Sequence, residues 1–202
     1  TELSGSRSSY RVLTICNTGG LASVERGTAL AVVQTLHERA ALEETIVLET
    51  RPLLQGARLT TWELQRMGAP NRLVVDGAGP YLISRGVVDA VLTGDDRIAS
   101  NGDTANKIGT FSLALAARHA DVPFIVVAPE STVDMATPSG DKIEIEYRDG
   151  QEVVSMRGTK IAPKNTEAIN PAFDLTPAGL ITAIVTDKRV VRLDQGESLS
   201  SD

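Results

Sequence analysis

Residues 11–20, Arg11-Val12-Leu13-Thr14-Ile15-Cys16-Asn17-Thr18-Gly19-Gly20 (RVLTICNTGG), decide the architecture. The first six are almost continuously apolar or β-branched, and the run stops at a glycine-rich turn. A strand without polar–apolar alternation needs cover on both faces, which favours a parallel sheet. The same pattern returns at Thr45–Thr50 (TIVLET), Arg72–Asp76 (RLVVD), Val88–Gly94 (VDAVLTG) and Pro123–Pro129 (PFIVVAP). Between these runs, Gly27–Leu42, Leu59–Met67, Tyr81–Arg85 and Ala105–His119 carry helical spacing. In the first of them Leu30, Val33, Leu36 and Ala40 share one face, while Gln34, Glu38 and Arg39 fall on others. This alternation predicts an α/β fold, doubly wound and Rossmann-like, with a mainly parallel sheet and right-handed crossovers.

After Pro129 the rhythm changes. Lys142–Tyr147 (KIEIEY) alternates, and the turn Arg148-Asp149-Gly150 leads into Glu152–Met156, which predicts a small antiparallel hairpin. Pro171–Thr186 reads as a helix, with Thr176 as its N-cap and Pro177 at the first helical position. Val190–Leu193 reads as a short last strand, and the acidic, Ser-rich stretch Asp194–Asp202 as a frayed, disordered tail. With no repeat or linker, residues 1–202 read as a single domain.

Composition narrows the classes of partner. Twenty Lys and Arg against 26 Asp and Glu leave a net charge of −6, and aromatics are 3% of the chain. Neither a broad nucleic-acid face nor a base-stacking platform is expected from that balance. No apolar run approaches the roughly 20 residues that span a bilayer. Thr1–Tyr10 is polar and lacks a signal-peptide core, so no membrane association is expected. A single cysteine, Cys16, cannot form an internal disulfide and fits a reducing, cytoplasmic setting.

Ligands of open α/β sheets bind beyond the carboxyl ends of the strands, so the candidate site residues are sought there. The first strand ends in Cys16-Asn17-Thr18-Gly19-Gly20, a thiol followed by backbone N–H groups able to face an anion. Such donors, or a nearby cation, would lower the thiol from its ordinary value near about 8.5. The plainer reading is a buried structural cysteine before a tight turn. The second strand runs into Glu49-Thr50-Arg51-Pro52-Leu53-Leu54-Gln55-Gly56-Ala57-Arg58, where arginines and an amide suit oxyanion and hydroxyl recognition. An ion pair of Glu49 with Arg51 or Arg58 would explain the same residues. The fourth strand ends in Thr93-Gly94-Asp95-Asp96-Arg97, followed by Asn101-Gly102-Asp103 and Asn106-Lys107-Ile108-Gly109-Thr110. Two adjacent carboxylates cannot both ionise cheaply when desolvated, so one can keep a proton and act as an acid or base. Neighbouring side chains diverge along a chain, so only one of Asp95 and Asp96 is expected to face the site. Lys107 can hold a phosphate as a point charge. No GxGxxG or Walker loop and no grouped histidines or cysteines occur, so no dinucleotide, P-loop or zinc chemistry is expected.

Several long stretches in one order resemble the methylthioribose-1-phosphate isomerase family of methionine salvage. They are CNTGGLA (Cys16–Ala22), GTAL (Gly27–Leu30), ETRPLLQGARLTTWEL (Glu49–Leu64), DRIASNGDTANKIGT (Asp96–Thr110) and NPAFDLTPAGLITAIVT (Asn170–Thr186). The similarity covers that family's C-terminal Rossmann-like domain almost end to end. The wider superfamily includes ribose-1,5-bisphosphate isomerases and regulatory subunits of the exchange factor for translation initiation factor two. The resemblance implies a catalytic pair at Cys16 and Asp96, and substrate contacts at Gln55, Asn106 and Lys107. It also implies a homodimer, a sugar-phosphate substrate and no metal or organic cofactor. Arg51 and the backbone at Gly19 join the list of expected substrate contacts. An acid–base role asks that burial raise the pKa of Asp96.

The chain departs from the family pattern in places. Ile15 stands where the family has histidine, and Asp76-Gly77-Ala78-Gly79 replaces Asp-Asn-Met-Ala. Gly94-Asp95-Asp96-Arg97 replaces Gly-Ala-Asp-Arg, which sets a second carboxylate beside the expected catalytic one. Nothing corresponds to the family's helical N-terminal domain. The alternatives are an isomerase of ribose 1,5-bisphosphate or 5-deoxyribose 1-phosphate, or a non-catalytic regulatory domain related to the exchange-factor subunits.

Overall fold

The computed structural model describes residues 8–22 and 26–200. The apolar runs become strands β1 (Tyr10–Thr14), β2 (Leu42–Leu48), β3 (Asn71–Val74), β4 (Ala90–Thr93) and, after β5 (Arg97–Ala99) and β6 (Thr104–Lys107) of another sheet, β7 (Phe124–Val127). Helices α1 (Ala29–Glu38), α2 (Thr61–Met67), α3 (Ala78–Ser84) and α4 (Thr110–His119) connect them. Two late strands, β12 (Ala183–Val185) and β13 (Val190–Arg192), complete a seven-stranded sheet in the order β13-β12-β7-β4-β1-β2-β3. Every neighbouring pair in it is parallel except β12 with β13.

Successive residues of the central strands bury on opposite faces, which explains why those runs need no polar positions, whereas β3 at the sheet edge leaves Leu73 exposed. Leu13, Ile46, Val91 and Val126 pack with Ile83 of α3 and Leu113 and Ala117 of α4. Val12, Val47, Leu92 and Val127 pack on the other face, with Leu30 and Val33 of α1 and Leu64 of α2. From β1 the chain winds outward through β2 to β3, then returns to lay β4 along the opposite edge of β1. The crevice beyond the carboxyl ends of β1 and β4 is therefore the topological switch point, where such sheets bind ligands.

A second sheet, in the order β11-β6-β5-β8, follows β4: β5 (Arg97–Ala99), β6 (Thr104–Lys107), β8 (Val133–Asp134) and β11 (Phe173–Thr176). It corrects two expectations. The helix read over Ala105–His119 starts at Thr110, because Thr104–Lys107 pairs with β5 and β11. Gly109, at φ 104, breaks the chain before it turns helical. The helix read over Pro171–Thr186 is instead β11, a 3₁₀ turn at Ala178–Leu180 and β12. Pro177 is extended rather than helical, and Asp103 Oδ1 accepts the Ala178 N–H at 2.8 Å, so Thr176 caps nothing.

The small antiparallel hairpin lies at residues 155–160, and the expected pairing of Lys142–Tyr147 with Glu152–Met156 is not formed. Ile143 and Ile145 alternate because they pack against Ala99, Ala105 and Leu175 of the second sheet. Residues 146–148 pair with 170–172 instead, through Arg148 N–H to Asn170 and Ala172 N–H to Glu146. Asp149 Oδ1 accepts the Gln151 N–H and starts a single helical turn, α5 (Gln151–Val154). The strand character of Ser155–Met156 (β9) is satisfied by Thr159–Lys160 (β10). The end expected to fray packs back through residue 200: Leu199 is buried and its carbonyl accepts from the Arg189 guanidinium at 2.8 Å. The polar start lies outside the described residues as far as residue 7, as do residues 201 and 202.

Candidate active site

Beyond the ends of β1 and β4 lies a cavity of about 250 Å³, with Cys16, Thr18, Asp95, Asp96, Asn106, Lys107 and Phe173 in its wall. Four elements supply them. The turn after β1 brings Cys16 and Thr18, the turn after β4 brings the two aspartates, and β6 and β11 bring the rest. Four of the expected site residues, Cys16, Asp96, Asn106 and Lys107, thus come together from positions up to about ninety residues apart in sequence.

Cys16 adopts the left-handed conformation, at φ 67, a region that non-glycine residues seldom occupy. Its N–H donates to Thr50 Oγ1 at 2.8 Å, and its carbonyl accepts from Thr60 Oγ1 at 2.6 Å. Burial pushes the thiol above its ordinary value, with the Asp96 charge acting in the same direction. The Asn17 backbone N–H and the Lys107 ammonium oppose that shift and do not outweigh it. The sequence-based expectation of a lowered thiol is corrected, because desolvation exceeds the attraction of one cation.

The two aspartates both line the cavity, against the expectation that only one would. Their surroundings differ. Asp96 is exposed, and its N–H donates to the Ala105 carbonyl at 2.8 Å. Asp95 is half-buried, with Oδ2 enclosed and lacking a hydrogen-bond partner. Burial raises Asp95 to about 6, and the neighbouring Asp96 charge adds to the shift. The Thr132 hydroxyl opposes the shift by more than Asp96 adds to it, without outweighing burial. The desolvated carboxyl expected at Asp96 is therefore found at Asp95.

Lys107 is buried on β6, directly opposite Phe173 in the β6–β11 register, and its ammonium sits 4.4 Å from the ring centroid. The ring face attracts the cation and holds it at the cavity wall. Asn106 donates through Nδ2 to Thr110 Oγ1 at 3.0 Å, and that hydroxyl donates to the Lys107 carbonyl at 2.6 Å. Asp174, opposite Asn106, accepts the Gly109 and Phe111 N–H groups at the start of α4. Burial lifts Asp174 to about 6 even against those two donors.

Three expected contacts lie outside the cavity wall. Gly19 sits under the Glu63 carboxylate, which accepts from Gly20 N–H at 2.8 Å and Asn17 Nδ2 at 2.9 Å. That anion site is filled by the protein's own carboxylate. Arg51 donates to the Pro52 and Val153 carbonyls, at 3.2 and 2.8 Å. Gln55 leads into a π-helical turn, Gly56–Thr60, with its Oε1 buried and without a partner. The residues that sequence reasoning missed are Thr50, Thr60, Glu63 and Asp76. No local spacing pairs Cys16 with threonines 34 and 44 residues away. Among the described residues, no group of three or more His, Cys, Asp or Glu side chains is placed to hold a metal ion.

The family model described as "Initiation factor 2 subunit family" matches residues 6–192. The chain belongs to the initiation factor 2 subunit family. Within it, the chain is 50% identical over 94% of its length to the methylthioribose-1-phosphate isomerase of Pelotomaculum thermopropionicum, covering 52% of that protein. A crystal structure of 5-methylthioribose 1-phosphate isomerase from Pyrococcus horikoshii superposes with a TM-score of 0.89 at 45% identity, over 93% of this chain and 52% of that one. The translation initiation factor eIF-2B subunit delta from A. fulgidus matches at 0.86 and 40% identity, over 91% of this chain and 53% of that one. The chain spans about half the length of the curated relatives it matches. Family membership accounts for the doubly wound sheet and its switch-point cavity, while the relatives' names divide between an isomerase and a translation factor.

Proposed function

We propose that this cavity is the site of an aldose–ketose isomerase that converts 5-methylthioribose 1-phosphate to 5-methylthioribulose 1-phosphate in methionine salvage. The observation that carries the reading is the meeting of a thiol, carboxyl groups, an amide and a buried ammonium in one cavity. Similarity to proteins named as that isomerase supports it. A domain that only bound a regulatory ligand would not need an acid–base pair beside a buried cation.

A phosphate on the anomeric oxygen blocks spontaneous ring opening, so a proton must reach the ring oxygen before the C1–ring-oxygen bond breaks. Hydrogen then moves from C2 to C1, and the C2 hydroxyl loses its proton as the ketone forms. Asp96, which the family motif marks for the role although its carboxyl is exposed and the desolvated one is Asp95, serves as the acid–base group, and Cys16 works across the sugar from it. Lys107 neutralises phosphate charge and Asn106 orients hydroxyls. Gln55, Arg51 and the backbone at Gly19 remain as contacts in this proposal, with Arg51 and the Gly19–Gly20 turn requiring their present partners to yield. The reaction needs no cofactor. Cys16→Ser and Asp96→Asn should each lower kcat by at least ~10²-fold, the lower end for a positioned acid or base. NMR detection of ketose formation from a panel of aldose 1-phosphates checks this, and near-wild-type turnover in either variant refutes the assignment.

The lone cysteine suits the cytoplasm. Among the described residues, no helix is long and apolar enough to cross a membrane. The working form is a homodimer, supported by exposed Tyr81 on α3 and Phe111 and Leu115 on the adjacent α4.

A further inference from the structure

We infer that Thr50 and Thr60 are positioning residues that hold Cys16 in its left-handed conformation and so aim its thiol into the cavity. Both belong to the long stretch Glu49–Leu64, whose arginines and glutamine suggest ligand contact by residue type alone. Its threonines do something else.

Each hydroxyl has one proton to give, and the network fixes where it goes. Thr50 Oγ1 donates to the Leu48 carbonyl at 3.1 Å, leaving its lone pair to accept the Cys16 N–H at 2.8 Å. Thr60 Oγ1 donates to the Cys16 carbonyl at 2.6 Å and accepts from Asn17 Nδ2 at 3.3 Å. Both peptide groups flanking the Cys16 α-carbon are thereby held. Rotation back toward the extended region would break both bonds together, and it would swing the β-carbon and sulfur away.

Thr50 is itself anchored. It is buried, also left-handed at φ 65, and its N–H donates to Asp76 Oδ1 at 2.7 Å. The other Asp76 oxygen accepts the Arg51 N–H at 2.7 Å. A carboxylate beyond β3 therefore fixes a threonine beyond β2, which fixes the cysteine beyond β1. Thr60 is brought within reach because Gly56 lets the π-helical turn press against β2. A β-carbon at Gly56 would lie 1.8 Å from the Leu48 carbonyl oxygen.

The test uses the chain's single cysteine, whose alkylation reports on one site. Iodoacetamide alkylation is followed against pH for wild type, Thr50→Val, Thr60→Val and the two serine variants. Loosened from its buried seat, the thiol should relax toward its ordinary pKa near about 8.5, so each valine variant should alkylate roughly tenfold faster at pH 7.5. Serine variants should keep the wild-type profile. If the isomerase reading holds, the valine variants should also lose about 10²-fold in kcat with little change in KM, the scale of a displaced reacting group. The kinetic arm rests on that reading and the alkylation arm does not, so loss of one leaves the other to decide. Valine variants with an unshifted profile and an unchanged Tm overturn the inference, as do serine variants that behave like valine. Should a valine variant fail to fold, hydrogen exchange in the wild type decides. A Cys16 amide protected like the β1 amides supports the clamp, and one exchanging at the rate of an open loop overturns it.

Discussion

Asp95 and Asp96 are adjacent in the chain, yet only Asp95 has an oxygen that is enclosed without a partner. Its folded pKa of about 6 stands above the ordinary 3.8, so the native state holds that proton more tightly than the unfolded chain does. The sign follows. The contribution of Asp95 to stability is fully present below about pH 4 and is lost as pH rises through about 6. Above that, carrying the charge costs on the order of 2–3 kcal/mol, reduced by whatever solvent reaches the half-buried group. Asp95→Asn should therefore raise Tm at pH 7.5, and the gain should shrink toward zero at pH 4; thermal unfolding at the two pH values checks it. In the cavity itself, Asp95 is the group expected to impose a pH dependence near 6 on anything anionic that binds beside Lys107.

At the scale of elements, contact decides which glycines matter. Gly56 has no room for a side chain, because Leu48 of β2 lies where its β-carbon would go, while Gly77 at the start of α3 meets nothing within 4 Å. Gly56→Ala must separate the π-helical turn from β2, and a loss of about 3 kcal/mol or more is expected, in the range of severe overpacking. Gly77→Ala should fall between neutral and about 1 kcal/mol stabilising, since its φ of −63° suits alanine and the unfolded chain loses freedom. Urea unfolding of the pair, with comparable m-values, measures the contrast. The same logic explains the misread segments. KIEIEY alternates as a strand does, but alternation reports one buried side only. Ile143 and Ile145 achieve that burial against the second sheet without a hairpin partner. Pro171–Thr186 has helix-like punctuation, yet Phe173–Thr176 finds four backbone partners on β6, and long-range pairing outweighs local preference.

For the whole molecule, the sheet order sets what the site can be. Because β4 returns beside β1, residues from the ends of both strands, together with β6 and β11, converge where the sheet divides. The homodimer reading makes a prediction at this scale. Placing a charge on the exposed apolar surface of α4, as in Leu115→Glu, should shift the sedimenting species from dimer to monomer while Tm changes little. An unchanged mass would move the contact elsewhere. The ion pairs at the amino-terminal ends of the strands, Arg11 with Glu43 and Arg72 with Glu44, should matter little by comparison.

Local patterning was enough to read the fold class, the strands β1, β2, β3, β4 and β7, and the strand ends where Cys16 and Asp96 lie, while Asn106 and Lys107, read at a helix start, lie in β6. A strand buried on both faces must be apolar throughout, and a turn that meets a ligand must be polar, so both features are written into consecutive residues. Pairing partners are not. Which carboxyl is desolvated, whether a glycine-rich turn meets a ligand or Glu63, and which hydroxyls hold Cys16 depend on groups tens of residues apart. Burial and hydrogen bonding are properties of the packed neighbourhood, and only the tertiary structure brings those neighbours together.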